Sequence, residues 1–185
     1  MYQRLHIFEF ILKMVEKKQI VLDLMLKYNG PLSVEDFYKE VAKWMDEKGM
    51  QKEIKRKSEE VTSKGRGIEW VIEAWKNPTH ELKQMVRMRT LFKDVKEERV
   101  KRKGRNIRIN SGNVLINIDG WIESELAERW TIQPFYTLLR TFIDKYFWGI
   151  GQTETERHEG PVIDYCYDLH KRLKAFFELY KMKVK

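Results

Sequence analysis

Between Gly67 and Ser124 apolar residues recur at every second position on either side of two turn-like breaks, and this alternation limits the possible folds more than any other feature of the chain. The segments Gly67–Lys76 and His80–Phe92 flank Asn77-Pro78-Thr79, a length that closes β-hairpins. With Lys76 set against His80, Glu73 falls opposite Lys83 and Glu69 opposite Arg87. Ile68, Trp70, Ile72 and Ala74 then meet Met88, Val86, Gln84 and Leu82. One face is mostly apolar and the other pairs acid with base, an arrangement that stabilises sheets by roughly 0.2 to 1 kcal/mol per pair.

A second hairpin is predicted from Arg105–Asn110 and Asn113–Ser124, turned at Ser111-Gly112. It sets Ile109 against Val114 and Ile107 against Ile116, with Ile118, Gly120 and Ile122 extending that face. Asn106, Arg108, Asn117, Asp119, Trp121 and Glu123 point the other way. Sheets with one apolar and one solvated face are closed by helices on a single side. The expected fold is therefore α+β: a four- or five-stranded antiparallel sheet covered on one face by N-terminal and C-terminal helices.

The chain of 185 residues reads as one domain, mainly helical over 1–50, an antiparallel sheet over 51–124 and a C-terminal helical pair over 125–185. Leu5–Tyr28 is expected to be mainly helix, with Phe8, Leu12, Val15 and Gln19 as its stripe, although Tyr2–Phe10 also alternates. Asn29-Gly30-Pro31 ends that element. Ser33, followed by Asp36, caps a helix with a buried stripe of Phe37, Val41, Trp44 and Met45, and Gly49 closes it. Glu53–Thr62 reads as an edge strand guarded by its charges. A winged helix is disfavoured, because no second capped helix is present to enter a DNA groove.

Glu125–Trp130 is a charged connection leading to a helix over Ile132–Trp148, entered at Gln133-Pro134 and lined by Phe135, Leu139, Phe142 and Tyr146. Gly149–Gly160 is polar and loop-like. From Pro161 a final helix carries Val162, Cys166, Leu169, Leu173, Phe176 and Tyr180, expected to pack within the chain on the preceding helix. A homodimer through this stripe is the alternative to the favoured monomer.

The sequence contains no run apolar enough for a transmembrane helix and one cysteine, so a cytoplasmic location is expected. Charged residues make up 35% of the chain, a composition found in the surface ion-pair networks of thermophilic proteins. The net charge of +8 favours a polyanionic partner. The cations concentrate in Arg99, Lys101, Arg102, Lys103, Arg105 and Arg108, with no acid among them, at the junction of the two predicted hairpins. Such a cluster can reach phosphates and release counterions. Against this stands an ordinary solvated tip, partly neutralised by Glu97, Glu98 and Asp119. Trp121 joins the candidate site because an extended second hairpin places Arg102 opposite it, and Arg87, Arg89, Lys93 and Arg108 interleave with Trp75 and Trp121 as in base-stacking platforms.

Other chemistry is thinly supported. His6, His80, His158, His170, Glu159, Asp164 and Asp168 lack a metal-ligand spacing, and Asp168 is expected to pair with Arg172 along the helix. His158-Glu159 is a proton-transfer pair only if a third group joins it. Cys166 reads as a small core residue, and no cofactor motif occurs. The favoured function is a non-enzymatic binding domain for nucleic acid or another polyanion. A hydrophobic-ligand or lipid module, with a cavity between the sheet and the aromatic-rich helix, is the alternative; an enzyme ranks last.

Overall fold

A computed structural model describes the backbone of residues 16–63, 65–80, 82–102, 105–124 and 157–184, and the side chains of all of these except 16, 98–108, 124 and 183–184. It contains strand β1 (Glu16–Leu32), helix α1 (Val34–Glu47), strands β2 (Gln51–Thr62), β3 (Gly65–Lys76), β4 (Leu82–Arg102) and β5 (Arg105–Ser124), and helix α2 (Glu159–Val184). The five strands form one antiparallel sheet in the order β1-β5-β4-β3-β2, so the first strand closes against the last. The α+β class and the antiparallel sheet agree with the sequence reading.

Alternation explains which face is buried. Val114, Ile116, Ile118 and Ile122 of β5, Val86, Met88 and Phe92 of β4, and Ile68, Trp70, Ile72 and Ala74 of β3 form one core with both helices. Helix α1 begins where the Ser33 hydroxyl accepts the Asp36 amide at 3.2 Å, and it buries Phe37, Val41, Trp44 and Met45 as expected. It ends in a Schellman arrangement: the Gly49 amide, at φ 63, donates to Asp46 and the Met50 amide donates to Met45. The Phe37 ring meets Phe92 edge-on at 5.3 Å and stacks on Phe177 at 5.9 Å, tying α1 to the sheet and to α2. On α2, Val162, Cys166, Leu169 and Leu173 are fully buried within the chain, and Phe177 rather than Phe176 completes the stripe with Tyr180. A Cβ on Gly120 would lie 2.7 Å from the Cys166 sulfur, so this glycine sets how closely α2 approaches the sheet.

Three expectations are corrected. Residues 16–32 form a strand instead of continuing a helix, and that strand runs through Asn29-Gly30-Pro31 to Leu32. Its register shifts twice, between Gln19 and Leu24. In the second shift Asp23 takes φ 57 and donates its amide to Asp119 at 2.8 Å. Val21 lies in the core, and beyond the bulges Leu24, Leu26 and Tyr28 face it at every second position, so the strand alternation is broken only across residues 19–24. The earlier part of the expected helix, with Phe8 and Leu12, lies outside the described residues, as does the helix expected over Ile132–Trp148.

The β3–β4 hairpin exists, but in another register: Glu73 pairs with Arg87, Ile72 with Met88 and Ile68 with Phe92. The shift from the predicted pairing is four residues, which keeps every apolar residue on its face. Glu69 instead bridges to Arg56 of β2 at 3.0 Å, and Lys83 reaches Glu123 of β5 at 3.7 Å.

Ser111-Gly112 is not a turn. β5 runs straight through it, and the reversal between β4 and β5 falls between Arg102 and Arg105. Gly112 serves the neighbouring strand instead: β4 bulges at Asp94, φ 55, and a Cβ on Gly112 would come within 3.1 Å of Lys93 and Val95. Strand continuity puts Ile107 and Ile109 in phase with Asn117 and Trp121 rather than with Ile116.

Candidate functional site

The cation cluster lies on a part of the sheet with a distinct architecture. Pairing of β3 to β4 ends at Val95, and pairing of β1 to β5 ends at Asn110. Beyond these points β4 and β5 continue paired only to each other, from Glu98 with Ile109 to Arg102 with Arg105. Among the described residues this is a two-stranded ribbon projecting past its neighbours by about 15 Å at the usual rise per strand residue. It carries Arg99, Lys101, Arg102, Arg105 and Arg108; Lys103 lies outside the described residues. The register sets Arg99 across from Arg108 and Arg102 across from Arg105. Like charges at directly opposite positions destabilise a strand pair.

Trp121 and Asp119 are not part of this ribbon. Trp121 lies sixteen residues along β5 from Arg105, roughly 50 Å for an extended strand, and pairs with Met85. The Arg87 guanidinium sits 4.7 Å above its ring, in place of the Arg102 contact expected from the sequence. Lys83 lies 4.6 Å over Trp75, so cations of the sheet itself cover both indoles and the base-stacking platform is not open there.

The cations around these tryptophans are matched by acids. Glu73 is buried and accepts from Arg87 at 2.5 Å, with Lys55 at 3.5 Å. Lys55 occupies the β2 bulge and also reaches Glu53 at 2.6 Å, which places a cation between two carboxylates paired in register. Burial would raise the Glu123 carboxyl, but the hydrogen bond and charge of Lys17 together with the charge of Lys83 hold it below the usual carboxylate range. Lys17, Lys55, Glu73, Lys83, Arg87 and Glu123 line an open hollow of about 510 Å³. Between the hollow and the ribbon, Arg89, Lys93 and Lys96 are exposed and, among the described residues, form no ion pair.

Helix α2 contributes no reactive centre among its described groups. Burial pushes the Cys166 thiol up to about 12, in keeping with a core role. Asp168 accepts from the Trp44 indole at 2.9 Å and from Lys48 at 2.7 Å, and these hydrogen bonds lower its carboxyl pKa. Arg172, its expected partner, instead bridges Glu40 and Glu47 of α1. Glu159 pairs with Lys18 at 2.6 Å, while the His158 carbonyl accepts from buried Gln84 at 3.0 Å. The described residues contain no cluster of three or more metal-ligating side chains, and no described helix is long and apolar enough to cross a membrane. The ribbon's separation from the rest of the sheet was missed in the sequence because Ser111-Gly112 imitated a turn.

No family model, curated protein or solved structure matches this chain.

Proposed function

We propose that this chain is a nucleic-acid-binding module whose grip is the basic β4–β5 ribbon, acting through the phosphate backbone and not through catalysis. The observation that carries this reading is the register: two pairs of arginines occupy facing register positions on a strand pair that, among the described residues, no neighbouring strand flanks. A two-stranded ribbon matches the width of the DNA major groove, where its arginines can meet phosphates on both sides. Exposed Arg89, Lys93 and Lys96 extend positive charge from the ribbon along β4. The matched ion pairs around Glu73 and Glu123 contribute little to attraction, since their charge is internally neutralised.

The test is binding to random-sequence duplex DNA and RNA as a function of salt, for the native chain and for a variant with Lys101, Arg102, Lys103 and Arg105 changed to Ala. Removing four phosphate contacts flattens the log–log salt slope by up to about 3.6 on duplex DNA. Absence of nucleic-acid affinity at low salt, or an unchanged slope in the variant, rejects the proposal.

A further inference from the structure

The sheet has two edge strands, β1 and β2; among the described residues no strand pairs with the outer side of β2, and all twelve of its residues are exposed. Natural edges are usually protected from self-pairing by charge, and the sequence of β2 is charged enough to read that way. Its charges, however, are ordered rather than merely abundant. The bulge at Lys55 changes the alternation so that Ile54, Lys57, Glu59 and Val61 share the helix side of the sheet, following their register partners Ile72, Trp70, Ile68 and Arg66. Arg56 and Glu60 share the opposite side.

An antiparallel pairing of two identical edges has a two-fold axis perpendicular to the sheet, and residues that meet must lie on the same side. Placed at Ser58, that axis brings Lys57 to Glu59 and Arg56 to Glu60 of the second copy. Across the Lys55 bulge it also brings Ile54 to Val61, two of the large hydrophobic residues left exposed, at 56% and 78%. Every pair occurs twice by symmetry. Moving the axis by one residue sets Lys57 or Glu59 against its own copy, so one register is favoured and its neighbours are penalised.

We infer that β2 is a docking edge for a second copy of this chain, paired antiparallel about Ser58 to make a continuous ten-stranded sheet from two five-stranded ones. Arg56 and Glu59 already touch Glu69 and Arg66 within the chain at 3.0 and 2.9 Å, but both remain substantially exposed and can bridge outward as well. The inference is independent of the proposed binding function. It also directs association to β2 and away from the buried stripe of α2.

The test is a charge exchange followed by sedimentation or light scattering over a wide dilution series. The native chain is expected to form a dimer as concentration rises. Lys57→Glu makes both facing positions acidic and Glu59→Lys makes both basic, so each variant alone is expected to be monomeric. An equimolar mixture of the two is expected to recover a heterodimer, because each acid then meets a base. Val61→Lys, which leaves the ion pairs in place but sets a cation against Ile54, is a second variant expected to lose the dimer. Far-ultraviolet circular dichroism establishes that each variant is folded. A native chain that stays monomeric throughout, single variants that dimerise like the native chain, or a mixture that fails to re-associate would each overturn the inference.

Discussion

The two ends of the β4–β5 pair are both rich in cations but treat them in opposite ways. Near Ser124, Lys83 and Arg87 each lie over an indole and beside a carboxylate, and buried Glu73 and partly buried Glu123 depend on them. At the far end the register pairs Arg99 with Arg108 and Arg102 with Arg105 on a ribbon that no other strand flanks among the described residues. The first set is structural, because removing a cation strands a buried acid. The second sets like charges at facing register positions, and on the proposed function an added anion is what relieves them. Net charge alone cannot separate these cases; strand register can.

The comparison is sharpened by substitutions that act on one end and leave the other untouched. The largest expected loss is in the core under the matched end: Leu169→Ala opens a cavity where α2 meets the sheet and costs about 2 to 5 kcal/mol, measured by denaturant unfolding, with salt-dependent binding preserved. Arg87→Ala leaves Glu73 with Lys55 alone and costs about 1 to 3 kcal/mol. In a double-mutant cycle Glu73 couples favourably to Arg87 but not measurably to Lys83, the partner suggested by sequence.

A smaller effect is expected at Asp168. Its folded pKa lies below the ordinary 3.8, because Lys48 and Trp44 bond the carboxylate, so its contribution to stability is present above that value and lost as pH falls through the lowered folded pKa. Asp168→Asn therefore weakens the acid dependence of unfolding on this side of neutrality, readable as a shallower stability slope below the unfolded value. The smallest change in stability, within about 0.5 kcal/mol, is expected for the ribbon variant with Lys101, Arg102, Lys103 and Arg105 changed to Ala. A large loss there would make the ribbon part of the folded scaffold and erase the contrast between the two ends.

The sequence was legible where local signals and tertiary packing coincide. Ser33 and Gly49 mark both ends of α1, and Phe37, Val41, Trp44 and Met45 repeat at helical spacing between them. Legibility failed where the strands depart from ideal alternation. Two bulges in β1 interrupted its alternation between Gln19 and Leu24. In β3 and β4 the acids and bases each recur every four residues, so charge pairing could not separate registers four apart; the observed register instead sets Phe92 beneath Phe37. Gly112 looked like a turn residue because its real reason, the close approach of the bulged strand at Val95, depends on a neighbour no local pattern names. The cation cluster itself was plain in the sequence. Its setting on an unflanked ribbon was not, since that follows from where β1 and β3 stop.

The central claim, that the ribbon and not the matched end meets the polyanion, is tested most directly by hydrogen exchange read by mass spectrometry with and without duplex DNA at low salt. The account predicts that peptides spanning residues 97–110 gain protection while those covering Lys83, Arg87 and Trp121 exchange as before. Protection confined to the Lys83–Arg87 segment, or none anywhere while DNA is bound, would contradict it.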